Sequence, residues 1–256
     1  MEEFITERNI RDAVSVVTGR EERTLRAISS LWIKGNSRNL TSPEAFVSDE
    51  LEESGLIRLP LTCVSFSGGL FVRNGRTIPL INTTSSRGEQ NITAFMLLYY
   101  LIFEDEKKEH VIRKELTWSE LYPFYFASKA LIPNISPYYT SLGEIPLLDK
   151  VYRIMAAYSS PYRSVLMLIL EKALRDGDRK LENEALSLFA VPEKGSIKKF
   201  PALSLDSAVL QSPNTVSTFP LDRRISEAKK GRGTKKKANR DEQELMTLRK
   251  ELRTKK

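Results

Sequence analysis

The 256-residue chain contains one histidine and one cysteine, so few side chains can serve as an acid–base catalyst or a soft metal ligand. A zinc site made of histidine and cysteine needs several such ligands, and a serine nucleophile with an imidazole base could use only His110. The segment 104–110 (EDEKKEH) surrounds His110 with acids but lacks EF-hand spacing, so we expect an exposed histidine on a solvated face and no metal. This composition argues against most metallohydrolases and against redox enzymes that use a cysteine pair.

Two further patterns suggest chemistry only weakly. Ser67-Gly68-Gly69 could be taken for a phosphate-binding loop, but it precedes a predicted strand and lacks the lysine of a P-loop. We therefore predict a turn at this position. Cys63 is expected to be a reduced, buried thiol. An enzyme that uses carboxylates or lysine alone stays open as a minor alternative, and we assign no catalytic residue and no cofactor.

Aromatic residues are frequent between 122 and 139. They are Tyr122, Phe124, Tyr125, Phe126, Tyr138 and Tyr139. Aromatic rings beside basic residues can stack nucleobases, but Lys129 is the only basic residue in this stretch. We therefore expect these rings to pack in the core or at a protein interface.

Positive charge is concentrated at the C-terminus. Residues 221–256 contain 14 Lys and Arg against 6 Asp and Glu, a net charge of +8, which leaves −1 for residues 1–220. Nine cations fall within eighteen residues: Arg223, Arg224, Lys229, Lys230, Arg232, Lys235, Lys236, Lys237 and Arg240. Such a segment can follow a phosphate backbone and release its counterions without reading sequence, so it is predicted to bind nucleic acid non-specifically. A solubilising tail and a contact with anionic membranes are the alternatives.

The compartment is expected to be intracellular. The acidic N-terminus lacks the basic and apolar regions of a signal peptide, and the longest uncharged apolar stretch, Asn91–Phe103, is well short of the roughly 20 residues that span a bilayer. The spacing of the basic clusters is that of a bipartite nuclear signal. We therefore predict a cytoplasmic protein, or a nuclear one in a eukaryotic host.

The spacing of apolar residues predicts a mostly helical body. Helices are expected over 10–17, 25–32, 43–55, 91–103, 119–132, 147–158, 161–175 and 178–190. Asn74-Gly75 between two apolar runs predicts a β-hairpin that pairs Leu70–Arg73 with Arg76–Ile81. The densely charged residues 104–114 are expected at the surface.

We thus predict an α+β fold, in which residues 1–190 form a mostly helical body with one small antiparallel β-sheet. Nine of the twenty residues from Pro201 to Pro220 are Ser, Thr or Pro, which indicates a linker over 191–220. A flexible basic tail follows over 221–256.

The segment 70–133 resembles the core of the ImmA/IrrE metallopeptidases, which cut repressors in mobile elements and stress responses. The family has a hairpin that leads to an Asn and an Arg, then a helix that carries HExxH, then a helix with a signature like FAxxLLMP. Here the corresponding runs are GRTIPLINTTSSRGEQ, NITAFMLLYYLIF and FASKALIP. The positions that match are Asn82, Arg87, Thr93, Phe126, Ala127, Leu131 and Pro133.

The resemblance does not extend to the catalytic residues. In HExxH two imidazoles one turn apart bind zinc and the glutamate accepts a proton from the bound water, but these positions hold Met96, Leu97 and Tyr100. The acidic ligand expected before the FA signature falls at Tyr122, with Glu120 close by. The resemblance therefore implies a peptidase fold without its zinc site, retained for binding; without it, Asn91–Phe103 is an ordinary core helix.

From these features we expect a non-catalytic regulatory or interaction protein of viral or mobile-element type. Its body would bind an unidentified protein and its tail would bind nucleic acid. The alternative is a structural viral protein, matrix-like or nucleoprotein-like, that self-associates and packs on RNA. A nucleoprotein usually needs a basic groove in its body, and the net charge of −1 over residues 1–220 favours the first hypothesis.

Overall fold

The computed structural model of the chain describes residues 3–37, 43–61, 65–104 and 108–190. Helices dominate these residues, and a small sheet lies in the first half of the chain. The elements are α1 (Ile10–Thr18), α2 (Glu21–Ser37), α3 (Pro43–Glu53), β1 (Ile57–Leu59), β2 (Phe66–Arg73), β3 (Arg76–Asn82), α4 (Arg87–Phe103), β4 (His110–Arg113), α5 (Leu121–Leu131), α6 (Ser136–Ser141), α7 (Leu147–Tyr158), α8 (Tyr162–Asp176) and α9 (Arg179–Phe189). Cys63, the predicted linker and the predicted tail lie outside the described residues.

The sheet has the strand order β1-β3-β2-β4. The predicted hairpin is confirmed: β2 and β3 pair with Arg73 opposite Arg76, and Asn74 and Gly75 make the turn with φ of 52° and 73°. The α+β class is confirmed as well. The sheet is mixed, however, because β1 runs parallel to β3, so the prediction of a purely antiparallel sheet was wrong. That prediction rested on the hairpin, which contains no information about β1.

Gly68 and Gly69 lie inside β2 and not in a turn, which corrects the prediction for Ser67-Gly68-Gly69. A Cβ on Gly68 would stand 2.5 Å from the carbonyl oxygen of Leu80 and 2.6 Å from the Thr93 side chain. A Cβ on Gly69 would stand 2.5 Å from the carbonyl oxygen of His110. The glycines are therefore needed for the close packing of β2 against its neighbours, since any side chain would clash with backbone atoms.

The charged segment 104–114 contains β4, a strand that the sequence analysis did not predict. In β4 only Ile112 is buried, whereas Val111 is 49% exposed. An edge strand with one buried residue has too little hydrophobic alternation to stand out from charged neighbours.

Helix α4 is the central element of the body. It begins at Arg87, one turn before the predicted Asn91, because Ser86 and Glu89 form a capping box in which each side chain accepts a hydrogen bond from the other residue's backbone N–H. The helix contacts β2, β3, α3 and α5, and its residues Phe95, Leu97 and Leu98 are fully buried. The hydrophobic core of the body is built around this helix.

Helices α1, α2 and α8 pack on α5, and α3 packs on α4, while α7 and α9 pack on α8. Most of these helices lie close to the predicted ranges, but α2 is longer at both ends than the predicted 25–32, and the short helix α6 was not predicted. Asp178 caps α9 by accepting a hydrogen bond from the Leu181 N–H. The N-terminal segment is bound to residues 116–118, where the Ile5 N–H donates to the Leu116 carbonyl oxygen at 2.8 Å. Among the described helices, none combines the length and the apolar composition that a membrane span requires.

Candidate functional site

The positions that would hold zinc in a peptidase lie inside the hydrophobic core. Met96, Leu97 and Tyr100 are buried on α4, in the same core cluster as residues of α5. Met96 and Leu97 offer no nitrogen or oxygen ligand, and the Tyr100 ring stacks on His110 with centroids 3.9 Å apart. In the part of the chain that the structure describes, no three His, Cys, Asp or Glu side chains are grouped as a metal site.

Glu120 and Tyr122, the remaining residues at the peptidase-like positions, serve other contacts. The carboxylate of Glu120 is buried and accepts hydrogen bonds from the Thr117 N–H at 3.2 Å and the Thr117 hydroxyl at 2.8 Å. It therefore shapes the turn before α5. Tyr122 is partly exposed, and the guanidinium carbon of Arg20 lies 4.1 Å from the centre of its ring.

The matched residues outside the zinc positions support the scaffold. Buried Asn82 accepts hydrogen bonds from the N–H groups of Leu61 and Thr84, at 2.9 and 3.1 Å, and donates to the Phe66 carbonyl oxygen at 2.8 Å. It ties the end of β1 to the start of β2. Thr93, Phe126, Ala127 and Leu131 are buried, whereas Arg87 and Pro133 are exposed.

We predict that the purified protein carries no tightly bound zinc and cleaves no peptide bond. The reason is that apolar Met96 and Leu97 replace a ligand and the catalytic base, and the phenol of Tyr100 replaces the second imidazole. Elemental analysis of tag-free protein after dialysis against a metal-free buffer tests this directly. One zinc ion retained per chain would contradict the prediction.

His110 is only partly exposed, so the expectation of an exposed histidine on a solvated face was wrong. Its imidazole Nε2 lies 2.7 Å from a carboxylate oxygen of Glu104, and its ring is covered by Tyr100. Because Glu104 ends α4 and His110 begins β4, this contact joins the two elements across the charged connection between them.

A buried ionic network, formed by Glu21, Tyr125, Lys129, Glu171 and Arg175, joins α2, α5 and α8. The Lys129 ammonium lies 2.8 Å from carboxylate oxygens of both Glu21 and Glu171. Arg175 contacts the same two carboxylates at 3.0 and 2.9 Å, and the Tyr125 hydroxyl donates to Glu171 at 2.8 Å. Two cations and two carboxylates therefore balance, although the side chains of Lys129 and Glu171 are only 6% and 2% exposed.

Two pKa values within the network depart from their ordinary values. Burial raises the pKa of Tyr125, and the adjacent Glu171 raises it further, so this hydroxyl stays protonated. Burial also tends to raise the pKa of Glu21, but the hydrogen bond from Lys129 and the charges of Lys129 and Arg175 lower it below its usual value. The Lys129 ammonium and the Arg175 guanidinium thus favour the ionised form of Glu21.

Aromatic and arginine side chains meet at the outer end of the α4–α5 pair. We call Arg20, Arg23, Tyr99, Phe103 and Tyr122 the aromatic–arginine surface. The Tyr99 and Phe103 rings lie 5.2 Å apart, and both contact the buried Phe126. Phe103 is 42% exposed, and Arg20 stacks on Tyr122 as described above. Burial and the nearby Glu104 raise the pKa of Tyr99, while the positive charges of Arg23 and Arg20 oppose the increase.

Three carboxylates of described residues near this surface contact other basic side chains. Glu21 pairs with Lys129 and Arg175, Glu22 pairs with Arg26, and Glu104 pairs with His110. Arg20 and Arg23 are exposed, and within the described ranges neither forms an ion pair with a carboxylate.

The sequence analysis missed both the ionic network and the aromatic–arginine surface. It counted cations only near Tyr122–Tyr139, whereas Arg20 and Arg23 come from the start of α2, about a hundred residues earlier. The predicted nucleic-acid-binding residues, from Arg223 to Arg240, lie outside the described residues. No family model matches the chain, and no curated protein and no solved structure matches it.

Proposed function

We propose that this is a non-catalytic regulatory or interaction protein, whose body binds a protein partner and whose basic tail binds nucleic acid without sequence preference. The observation that carries the proposal is the separation of charge, with +8 in residues 221–256 and −1 in residues 1–220. A body of nearly neutral net charge has no general attraction for polyanions, so the tail supplies the long-range electrostatic contribution.

The tail favours phosphate contacts over base reading. Its nine cations between Arg223 and Arg240 surround Gly231 and Gly233, which admit many backbone conformations. Contacts to phosphate oxygens carry no sequence information, whereas base edges are read by groups held rigidly in a groove. The tail would therefore bind unrelated sequences with similar affinity.

The peptidase resemblance supports the non-catalytic part of the proposal. The β2–β3 hairpin packs on α4 with α5 alongside, and we take this packing as support for the proposal. At the three positions where that family performs its chemistry, this chain places core residues. We propose that the scaffold is retained for binding, in an intracellular protein that would be nuclear if the host is eukaryotic.

Neutralising the tail is expected to abolish most nucleic-acid binding. In the full-length chain the nine cations are replaced by glutamine, and a chain ending at residue 220 serves as the second variant. If about six cations contact phosphates, the log–log salt slope of the unaltered protein on duplex DNA is about −5, and somewhat shallower on single strands. Titration of unrelated labelled duplexes from low to physiological salt measures both quantities.

The outcomes separate the tail from the body. Loss of duplex binding with an unchanged melting temperature supports the proposal. Equal binding by the chain that ends at residue 220, or a strong preference for one sequence that persists at high salt, would place recognition in the body and contradict it. Self-assembly of the full chain on RNA at fixed stoichiometry would favour the alternative, a structural nucleoprotein-like protein.

A further inference from the structure

We propose that the aromatic–arginine surface is a second nucleic-acid contact, on which bases of a single strand stack while the tail holds the phosphates. This inference rests on the proposed function, because the tail provides most of the affinity. It adds that the body discriminates single strands from duplexes. The surface consists of Arg20, Arg23, Tyr99, Phe103 and Tyr122, all of them described residues.

Apolar side chains are exposed at the last turn of α4, beside the Tyr99 ring. Phe103 is 42% exposed and the adjacent Ile102 is 41% exposed at the last turn of α4. Phe103 packs edge-on to Phe126, with centroids 5.6 Å apart and an interplanar angle of 71°, and is tilted on Tyr99. Buried Phe126 thus supports both rings from below, which fixes their orientation before a ligand arrives.

The second feature is the charge beside these rings. The guanidinium carbon of Arg20 lies 4.1 Å from the centre of the Tyr122 ring, within the range of a cation–π contact, and a guanidinium group can itself stack on a base. Among the described residues, Glu21, Glu22 and Glu104 contact Lys129, Arg26 and His110, and none of these three carboxylates contacts Arg20 or Arg23. Arg20 and Arg23 also stand at the N-terminal end of α2, where the helix dipole disfavours cations and favours an anionic ligand.

The choice of ligand follows from these features. Single-strand binding sites combine aromatic side chains, on which bases stack, with positively charged side chains around them. This surface has both components, a partly exposed Phe103 and two arginines. A duplex keeps its bases stacked inside, so its bases cannot reach Phe103 or Tyr99. The surface therefore selects unpaired DNA or RNA, and the stacking contribution differs from the tail's in being insensitive to salt.

The test uses full-length protein with two labelled single strands of about 20 nucleotides, an oligothymidylate and an oligouridylate, and with a DNA duplex of the same length. One variant, Phe103→Ala, removes a ring and no charge. A second, Arg20→Gln with Arg23→Gln, removes two charges at the surface. The matched control, Arg153→Gln with Arg163→Gln, removes two exposed arginines on α7 and α8. Melting temperatures establish that each variant is folded.

Phe103→Ala is expected to raise the Kd for the single strand about tenfold, because one stacked base is lost, and to leave the salt slope and the duplex Kd unchanged. The paired arginine variant is expected to weaken single-strand binding by about tenfold or more, and clearly beyond the matched control. Agreement between the DNA and RNA arms would show that the 2′-hydroxyl is not read.

Three results would overturn the inference. They are single-strand affinities of both variants equal to those of the control, an equal loss on duplex and single strand, and no single-strand binding by the unaltered chain. If both variants bind single strands as the control does, while neutralising the tail still abolishes duplex binding, the proposed function stands. The surface would then be assigned to a protein contact. If Phe103→Ala weakens single-strand binding but neutralising the tail changes no nucleic-acid affinity, the proposed role of the tail is contradicted. The proposed role of the aromatic–arginine surface is then supported.

Discussion

Leu98→Asp is expected to unfold the body. Leu98 is 1% exposed in the middle of α4, the helix around which the core is built. The substitution removes a buried isobutyl group and places a carboxyl inside the hydrophobic core. The combined cost is about 5 kcal/mol or more, against a total stability of about 5–15 kcal/mol for a typical domain. Thermal melting followed by circular dichroism measures the loss.

The control for this prediction is Ile102→Asp, one turn further along the same helix. Ile102 is 41% exposed, so its replacement adds the same charge without burying it, and the expected change is within about 1 kcal/mol. Unchanged melting of Leu98→Asp would show that this face of α4 is not buried in solution. It would then be an interface, and the described core would be wrong.

Lys129→Met is expected to destabilise the protein by about 3–5 kcal/mol, because removing one member of a buried ion pair leaves the opposite charge uncompensated. The carboxylates of Glu21 and Glu171 would share only Arg175, and the network would change from neutral to negative. The matched control is Lys172→Met on α8, which breaks the more exposed pair with Asp176 and should cost at most about 1 kcal/mol. Urea unfolding gives both values.

The same variant has a pH signature. The pKa of Glu21 is lowered in the folded protein, so the stability from its ionised form is present above the ordinary glutamate pKa and is lost as the pH falls through the lowered value. The difference in free energy of unfolding between the unaltered protein and Lys129→Met should therefore become smaller at acid pH. A difference that stays constant down to strongly acid pH would show that the loss of stability comes from packing and not from charge.

Local patterns predicted the parts of the fold whose causes are local. Asn74-Gly75 predicts the hairpin because the turn needs two residues that tolerate positive φ. The apolar run after Asn91 predicts α4 because most of its side chains are stable only when buried. The early start of α4 was missed although Ser86 and Glu89 have capping-box spacing. The Ser-x-x-Glu spacing of these two residues is a local pattern that indicates a helix start at this position.

The remaining features depend on contacts between distant residues. Gly68-Gly69 was interpreted as a turn because the reason for the glycines, the approach of Leu80, Thr93 and His110, is invisible in a linear pattern. Lys129 seemed an isolated cation in an aromatic stretch, and its partners Glu21 and Glu171 lie on two other helices. Residue types alone do not specify such pairings, which follow from how the helices pack.

The ionic network has a consequence for the order in which the protein matures during translation. Glu21 and Arg175 are 154 positions apart, so the carboxylate leaves the ribosome long before its guanidinium partner. At roughly 5–20 residues per second, the delay is roughly 8–30 seconds. Lys129 on α5 follows Glu21 by 108 positions, so α5 is synthesised within that interval, whereas α8 is complete only at its end. The contact of α2 with α8 therefore forms late in biosynthesis.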